Sequence, residues 1–193
     1  MKLLGIDGGF SNVGWCLATY KDGLLQVDDM GVIRTEKTKT KTPDSVDNVA
    51  RAQRIAEYLE ALVLRFDPDI GRTEVSVQCI CSEAMSHPPH ASTAAKLSLT
   101  WGVIATLAYM TSLPVLQRTP QTIKFAVTGS KKASKADMLA ALSAEYREIP
   151  ALLAPWPATR HEHMVDALGA IVACLDDNAV KMFANNRNRR VAR

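Results

Sequence analysis

Leu3-Leu4-Gly5-Ile6-Asp7-Gly8-Gly9 decides how the rest of this chain is read. An apolar run of this kind is a buried strand, and it ends on an aspartate. A carboxylate in that place is costly unless a cation neutralises it. The two glycines that follow remove side-chain bulk and permit positive φ, so an ion or a phosphate can approach the turn closely. Taken alone, Asp-Gly is more often an ordinary turn. Two further stretches change that balance. Ile80-Cys81-Ser82-Glu83-Ala84-Met85 again brings an acid to the end of an apolar strand. His161-Glu162-His163-Met164-Val165-Asp166-Ala167-Leu168 puts one on a helix, a turn after a histidine. Acids so placed, meeting at one point, are best explained by a site for divalent cations.

The segments between these stretches indicate the fold. Val13 to Tyr20 and Leu24 to Ile33 read as second and third strands, the latter entered through the turn Lys21-Asp22-Gly23. With the first strand they form an antiparallel meander. Thr35 to Pro43 is a polar loop. Val46, Val49, Ile55, Tyr58, Leu59, Leu62 and Phe66 recur at helical spacing, and Pro68 marks the end of that helix. Val75 to Cys81 reads as a strand whose apolar face (Val75, Val77, Cys79, Cys81) is prolonged by Glu83 at the carboxyl end. Open α/β sheets hold ligands at that end. A helix over Ala91 to Met110, a strand over Leu113 to Gln117 and a helix over Ser134 to Tyr146 follow, the last capped by Ser134. Pro150 to Pro157 is a proline-broken connection, and Thr159 to Ala179 is the final helix. The predicted fold is α/β: a mixed five-stranded sheet, three strands in an antiparallel meander plus two more, flanked by helices.

A chain of 193 residues is about one domain, predicted to span 1–180, with 181–193 as a flexible basic tail. An apolar fraction of 47% and a charged fraction of 22% exclude a disordered chain. No stretch has the length of a membrane-spanning helix, and the N-terminus reads as a strand rather than a signal peptide. Cys16, Cys79, Cys81 and Cys174 lie in apolar stretches without C-x-x-C spacing, so buried free thiols in a reducing cytoplasm are expected. The tail carries Lys181, Arg187, Arg189, Arg190 and Arg193 with no acid, more cations than the whole chain's net charge of +3. Arg118, Lys124, Lys131, Lys132 and Lys135 form a second basic cluster, interrupted by glycine and serine as in a loop. Such clusters are the footprint of a protein that meets phosphates, although a solvated surface is the plainer reading of the tail.

The third acidic stretch leaves one choice open. Asp166 lies three residues after His163 and four after Glu162, so either can share its helix face. Thr159 and Glu162 have the spacing of a capping box, which would occupy Glu162 with the backbone and leave His163 as the stronger candidate. His161 is read as surface. Ala167, Ala170 and Ala173 are small enough to let this helix pack close to the sheet.

These residues resemble the RuvC family of Holliday-junction resolvases. The resemblance rests on Gly5-Ile6-Asp7-Gly8-Gly9 followed by Val13-Gly14-Trp15, on Glu83 after a strand, and on His163-x-x-Asp166-Ala167-Leu168. Ala94-Ala95-Lys96-Leu97 with Gly102-Val103, then Pro120 through Lys124, Val127, Gly129, Lys135 and Met138, match in order between residues 3 and 175. The resemblance implies a ribonuclease H-like fold that binds two Mg²⁺ ions per active site. Asp7, Glu83 and Asp166 match its ligands, and His163 stands where members carry aspartate or histidine. Lys124 and Lys135 match its functional lysines, Lys124 counted with the catalytic residues. Lys96, Arg118, Lys131 and Lys132 are expected along the DNA with them. The family acts as a homodimer that hydrolyses paired phosphodiesters in branched DNA, here in a bacterial or phage-infected cytoplasm. Its compactness suits a phage-type member.

Three further expectations follow. A histidine among hard-cation ligands softens the site, so Mn²⁺ should substitute for Mg²⁺. The loop Ala84-Met85-Ser86-His87-Pro88-Pro89-His90 lacks an aromatic wedge, leaving Met85 or His87 to unstack bases and favouring forks and flaps alongside four-way junctions. The helix over 91–110 is the expected dimer face: Ala94, Leu97, Trp101, Ile104 and Leu107 form an apolar face broad enough for core and partner, although core packing alone also accounts for it. Rival readings are an actin- or sugar-kinase-like ATP-binding fragment, which needs roughly twice this length, and a non-catalytic branched-DNA-binding protein that has no need of intact acids. The RuvC-like domain of RNA-guided effectors has a similar Gly-x-Asp and Val-Gly-Trp pattern in far longer chains.

Overall fold

The structure, a computed structural model, describes residues 1–39, 41–68, 71–85 and 90–182. Its main sheet has the order β3-β2-β1-β6-β7. Strand β1 (Lys2–Asp7) lies at the centre, antiparallel to β2 (Asn12–Lys21), which pairs antiparallel with β3 (Leu24–Arg34). This is the predicted meander. On its other side β1 runs parallel to β6 (Cys79–Glu83), and β6 runs parallel to β7 (Val115–Arg118).

Strand alternation sorts the side chains into two layers. Leu3, Cys79 and Cys81 join a core closed by helices α3 (Pro120–Thr128), α4 (Lys135–Glu145), α5 (Ile149–Leu153) and α6 (Ala158–Cys174). Leu4, Ile6 and Ile80 face the opposite way, under α1 (Asp44–Val63) and α2 (Ala91–Thr111). All four cysteines are buried and free. Among the described residues no helix is long and apolar enough to cross a membrane.

Helix α6 brings its backbone directly onto the sheet where it crosses Gly5 and Gly14. A Cβ on Gly5 would collide with the carbonyl oxygen of Ala167, and one on Gly14 with that of His163. Ala167 and Ala170 are fully buried, so their smallness serves this close packing.

Several boundaries differ from expectation, each for a local reason. Helix α1 stops at Val63, and Leu64–Asp67 (β4) pairs instead with Arg72–Val75 (β5) in a separate hairpin. Phe66, expected on the helix's apolar face, is therefore 61% exposed. Val75 belongs to that hairpin, and the buried strand begins at Cys79. Gly71, at φ +65°, supplies the backbone freedom that turn needs.

Helix α3 occupies a stretch expected only as a DNA-contact segment. Thr119 caps it by accepting from the Thr122 N–H, Pro120 starts it, and Gly129 at φ +74° ends it. Ser134 caps α4 as expected, reciprocated by Asp137. The capping box expected from Thr159 and Glu162 does not form. Helix α6 starts at Ala158 after Pro157, with no side-chain cap. From residue 183 the basic tail lies outside the described residues, as do residues 86–89 of the wedge loop.

Candidate active site

Asp7 and Glu83 end neighbouring parallel strands, one step beyond the paired residues Ile6 and Ser82. Alternation turns both toward α6: Asp7 shares a face with Leu3, and Glu83 with Cys79 and Cys81. His163 and Asp166 come down from α6, one helical turn apart, where that helix crosses Gly14 and Gly5. The four residues singled out in the sequence thus meet at the carboxyl end of the sheet.

Their charges interact. Burial, then the carboxylates of Asp7 and Asp166, push Glu83 up to about 7, while Lys135 and Lys124 pull it back. Burial and the Asp7 charge raise Asp166 to about 6. The His163 ring bonds Asp7 through Nδ1, 2.7 Å from Oδ2, and this bond raises the imidazole above its ordinary value. Three partly buried acids repelling one another in this way need positive charge brought to them.

The donor set fits divalent ions. Asp7, Glu83 and Asp166 offer the oxygen ligands hard cations require, and His163 adds a borderline nitrogen. Among the described residues no group of three or more His, Cys, Asp or Glu side chains already forms a cage, and Asp7 is held by His163 instead.

Glu162 stands at the rim. Its carboxylate binds Lys135 Nζ at 2.6 Å and lies 3.8 Å from His163 Nε2. Freed from capping, it orients the lysine rather than the backbone. His161 is half-buried, with its ring 2.9 Å from the Trp156 carbonyl oxygen, rather than a surface histidine. Lys124 lies on α3 and Lys135 starts α4; both act on the charge of Glu83. Lys131 and Lys132 are exposed in the loop between those helices. Lys96 is on α2, lining a recess with Ser11 and Asn12. Arg118 is committed elsewhere: it pairs with Asp177 at 2.7 Å and donates to the Ala173 carbonyl, tying β7 to the end of α6.

Sequence reasoning missed the residues that hold the Gly8-Gly9 turn. The buried Thr100 hydroxyl donates to the Gly9 carbonyl at 3.0 Å, and the Trp101 ring packs 3.8 Å from where a Gly8 Cβ would be. A threonine inside an apolar helix gave no period to follow. It also missed Arg51, which is buried, stacked 4.3 Å over Phe10 and bonded to Thr35 and Ser11.

A sheet of order β3-β2-β1-β6-β7 with acids at its carboxyl end defines a ribonuclease H-like resolvase fold. Solved structures share it. Thermus thermophilus RuvC, in complex with Holliday junction substrate, superposes with a TM-score of 0.67 at 18% identity, over 95% of this chain and 97% of that one. The yeast mitochondrial Holliday junction resolvase gives a TM-score of 0.60 at 14% identity, over 97% of this chain and 85% of that one.

The family model for crossover junction endodeoxyribonuclease RuvC matches residues 3–174, and the chain belongs to that family. RuvC of Pseudothermotoga lettingae is 30% identical over 72% of this chain and 75% of its own. RuvC of Brevibacillus brevis is 27% identical over 89% of this chain and 90% of its own. These relatives are bacterial, and the expectation of a phage-type member finds no support among them.

Proposed function

We propose that this chain is a metal-dependent endodeoxyribonuclease that resolves four-way DNA junctions by paired phosphodiester hydrolysis. One observation carries the reading: Asp7 and Glu83 end adjacent parallel strands, and Asp166 faces them from α6. Family membership makes the ATP-binding alternative untenable.

Asp7, Glu83 and Asp166 would hold two Mg²⁺ ions, with His163 as fourth ligand and Glu162 outside that set. Ions there would supply an activated water and stabilise the leaving oxygen of an in-line displacement. The chain's own groups do the rest. His163 orients Asp7 through its ring N–H, which requires the proton on Nδ1. Lys124 and Lys135 bring positive charge to the scissile phosphate, and Glu162 holds Lys135 in place. Lys131 and Lys132 extend that contact along the backbone, giving affinity without base specificity. The tail beyond residue 181 adds a further basic contact. Arg118 is left out of this set because its guanidinium is already satisfied.

Paired cuts need two sites, hence a homodimer. Of the face nominated from sequence, Ile104 and Leu107 are buried in the chain's own core, the part of that face expected to serve packing. Supporting α2 as interface is the apolar groove of about 630 Å³ that it forms with α1, which includes Val49, Val103 and Met110 and reaches Leu107 at its base. A second copy would cover it.

The test is cleavage in Mg²⁺ of labelled four-way, three-way, flap and linear DNA, with the Asp7→Asn variant alongside. Symmetric paired nicks in the four-way substrate support a resolvase. Cuts across all branched forms indicate the broader debranching activity that the wedge loop suggests. A wild-type protein that binds junctions but never cuts them is the non-catalytic binder.

A further inference from the structure

Beside the acids, the structure forms a second recess. It measures about 450 Å³, and the described residues that line it are all polar or charged, among them Ser11, Asn12, Arg34, Arg51, Lys96 and Arg160, with Glu36 as the acid. Asn12 opens β2 opposite Arg34, the last residue of β3. Arg160 lies on α6 three residues before His163, about one turn away. The recess therefore adjoins the carboxylate site along the same end of the sheet.

Its cations differ in what they do. Arg34 pairs with Glu36, and Lys37 pairs with Asp44 at 2.7 Å. Arg51 is structural: it is buried on Phe10, donates to Thr35 Oγ1 at 3.0 Å and to Ser11 Oγ at 2.9 Å, and approaches Asp47 at 3.9 Å. By donating to Ser11, it fixes that hydroxyl while leaving the Ser11 proton free to be donated into the recess. Lys96 and Arg160 have no hydrogen-bond or ion-pair partner for their side chains among the described residues. The acid whose charge Lys96 does feel, Asp44, is already paired with Lys37.

Two unpaired cations, an oriented hydroxyl and the Asn12 amide around one cavity are the donor set of an oxyanion with several acceptors. Resting on the nuclease reading above, we propose that this recess is a seat for a backbone phosphate of the DNA substrate, distinct from the phosphate cut at the acids. Its function is to fix the strand's register: a phosphate held by Lys96, Arg160 and Ser11 sets which neighbouring phosphodiester reaches Asp7 and Glu83.

The test measures junction binding to the full chain across a salt series, with Ca²⁺ in place of Mg²⁺ so that nothing is cut. Lys96→Ala/Arg160→Ala should weaken binding and flatten the slope of log K against log salt by about 1 for each bound protomer, at roughly 0.9 for the single phosphate the recess seats. Lys96→Gln/Arg160→Gln keeps much of each aliphatic stem and a polar head without the charge, and should flatten it equally, which separates lost charge from a packing defect. A Lys21→Ala/Arg72→Ala control removes two cations outside the recess and should leave the slope unchanged. In Mg²⁺, the recess variants should scatter the nick over neighbouring positions. A slope unaltered in both recess variants overturns the seat while leaving the nuclease reading intact. A wild-type protein that binds no branched DNA overturns that reading itself.

Discussion

The carbonyl oxygen of Ala167 occupies the space a side chain on Gly5 would need. This contact joins the central strand to α6 two residues before Asp7 and one after Asp166, so it sets how far apart the acids stand. The same arrangement recurs between Gly14 and His163. Gly5→Ala should therefore push α6 off the sheet. Overpacking of this kind costs about 1–3 kcal/mol, and a backbone obstacle belongs at the upper end. Denaturant unfolding should show that loss, and cleavage at temperatures where the variant remains folded should fall further than folded fraction explains. Normal cleavage by folded Gly5→Ala would mean that the helix's distance from the strand does not govern the site.

The ion-free protein should lose stability as pH rises from 5 to 8. Glu83 near 7 and Asp166 near 6 keep protons in the folded state that the unfolded chain, with ordinary values of 4.5 and 3.8, has released. Such groups stabilise fully below the unfolded value, and the contribution is gone above the folded one. His163, raised by Asp7, acts in the same direction. The acids held low by surface partners, Asp44, Asp137 and Asp177, are ionised throughout this range and do not offset the trend. Thermal melts in EDTA at pH 5 and pH 8 measure the difference. Added Mg²⁺ should reverse it at pH 8, and a melt unaffected by pH and by Mg²⁺ would remove the case for a cation site.

How much of this was readable beforehand depended on the kind of signal. The acids were legible because each ends an apolar pattern, at Ile6-Asp7 and Ser82-Glu83, or sits at helical spacing, at His163 and Asp166. Helix α3 carried readable signals too, a Thr119-Pro120 start and a Gly129 stop, which the surrounding lysines overshadowed. The role of Glu162 was not legible. Its spacing from Thr159 fits a cap, and only the placement of α4 brings Lys135 to it. Nor was the α1 boundary, since Phe66 continues the helical period into a hairpin.

The choice between His163 and Glu162 is open to direct measurement. His163 touches Asp7, whereas Glu162 is already paired with Lys135. His163→Ala should raise the Mg²⁺ or Mn²⁺ concentration for half-maximal cleavage by about 10–100-fold, the scale seen when groups that support metal ligands are removed. Glu162→Gln should leave that concentration nearly unchanged and weaken DNA binding through a loosened Lys135. His163→Asp should shift preference from Mn²⁺ toward Mg²⁺, because it replaces the one nitrogen donor with oxygen. The reverse pattern, with metal dependence following Glu162, would exchange the two assignments.

The α1–α2 groove predicts how cutting depends on assembly. Val49 and Met110 are 53% and 71% exposed, so charging them should leave the monomer's own core intact. A dimer interface that buries this groove would then have to desolvate two carboxylates in each copy without partners, at several kcal/mol. Val49→Glu/Met110→Glu should therefore sediment as a monomer at concentrations where the wild type is dimeric. Its melting temperature at low protein concentration should match that of the dissociated wild type. On a four-way junction it should make single, unpaired nicks, because each copy retains its acids but the second strand is no longer presented to a linked site. Paired nicks by a proven monomer would place the subunit contact elsewhere on the fold.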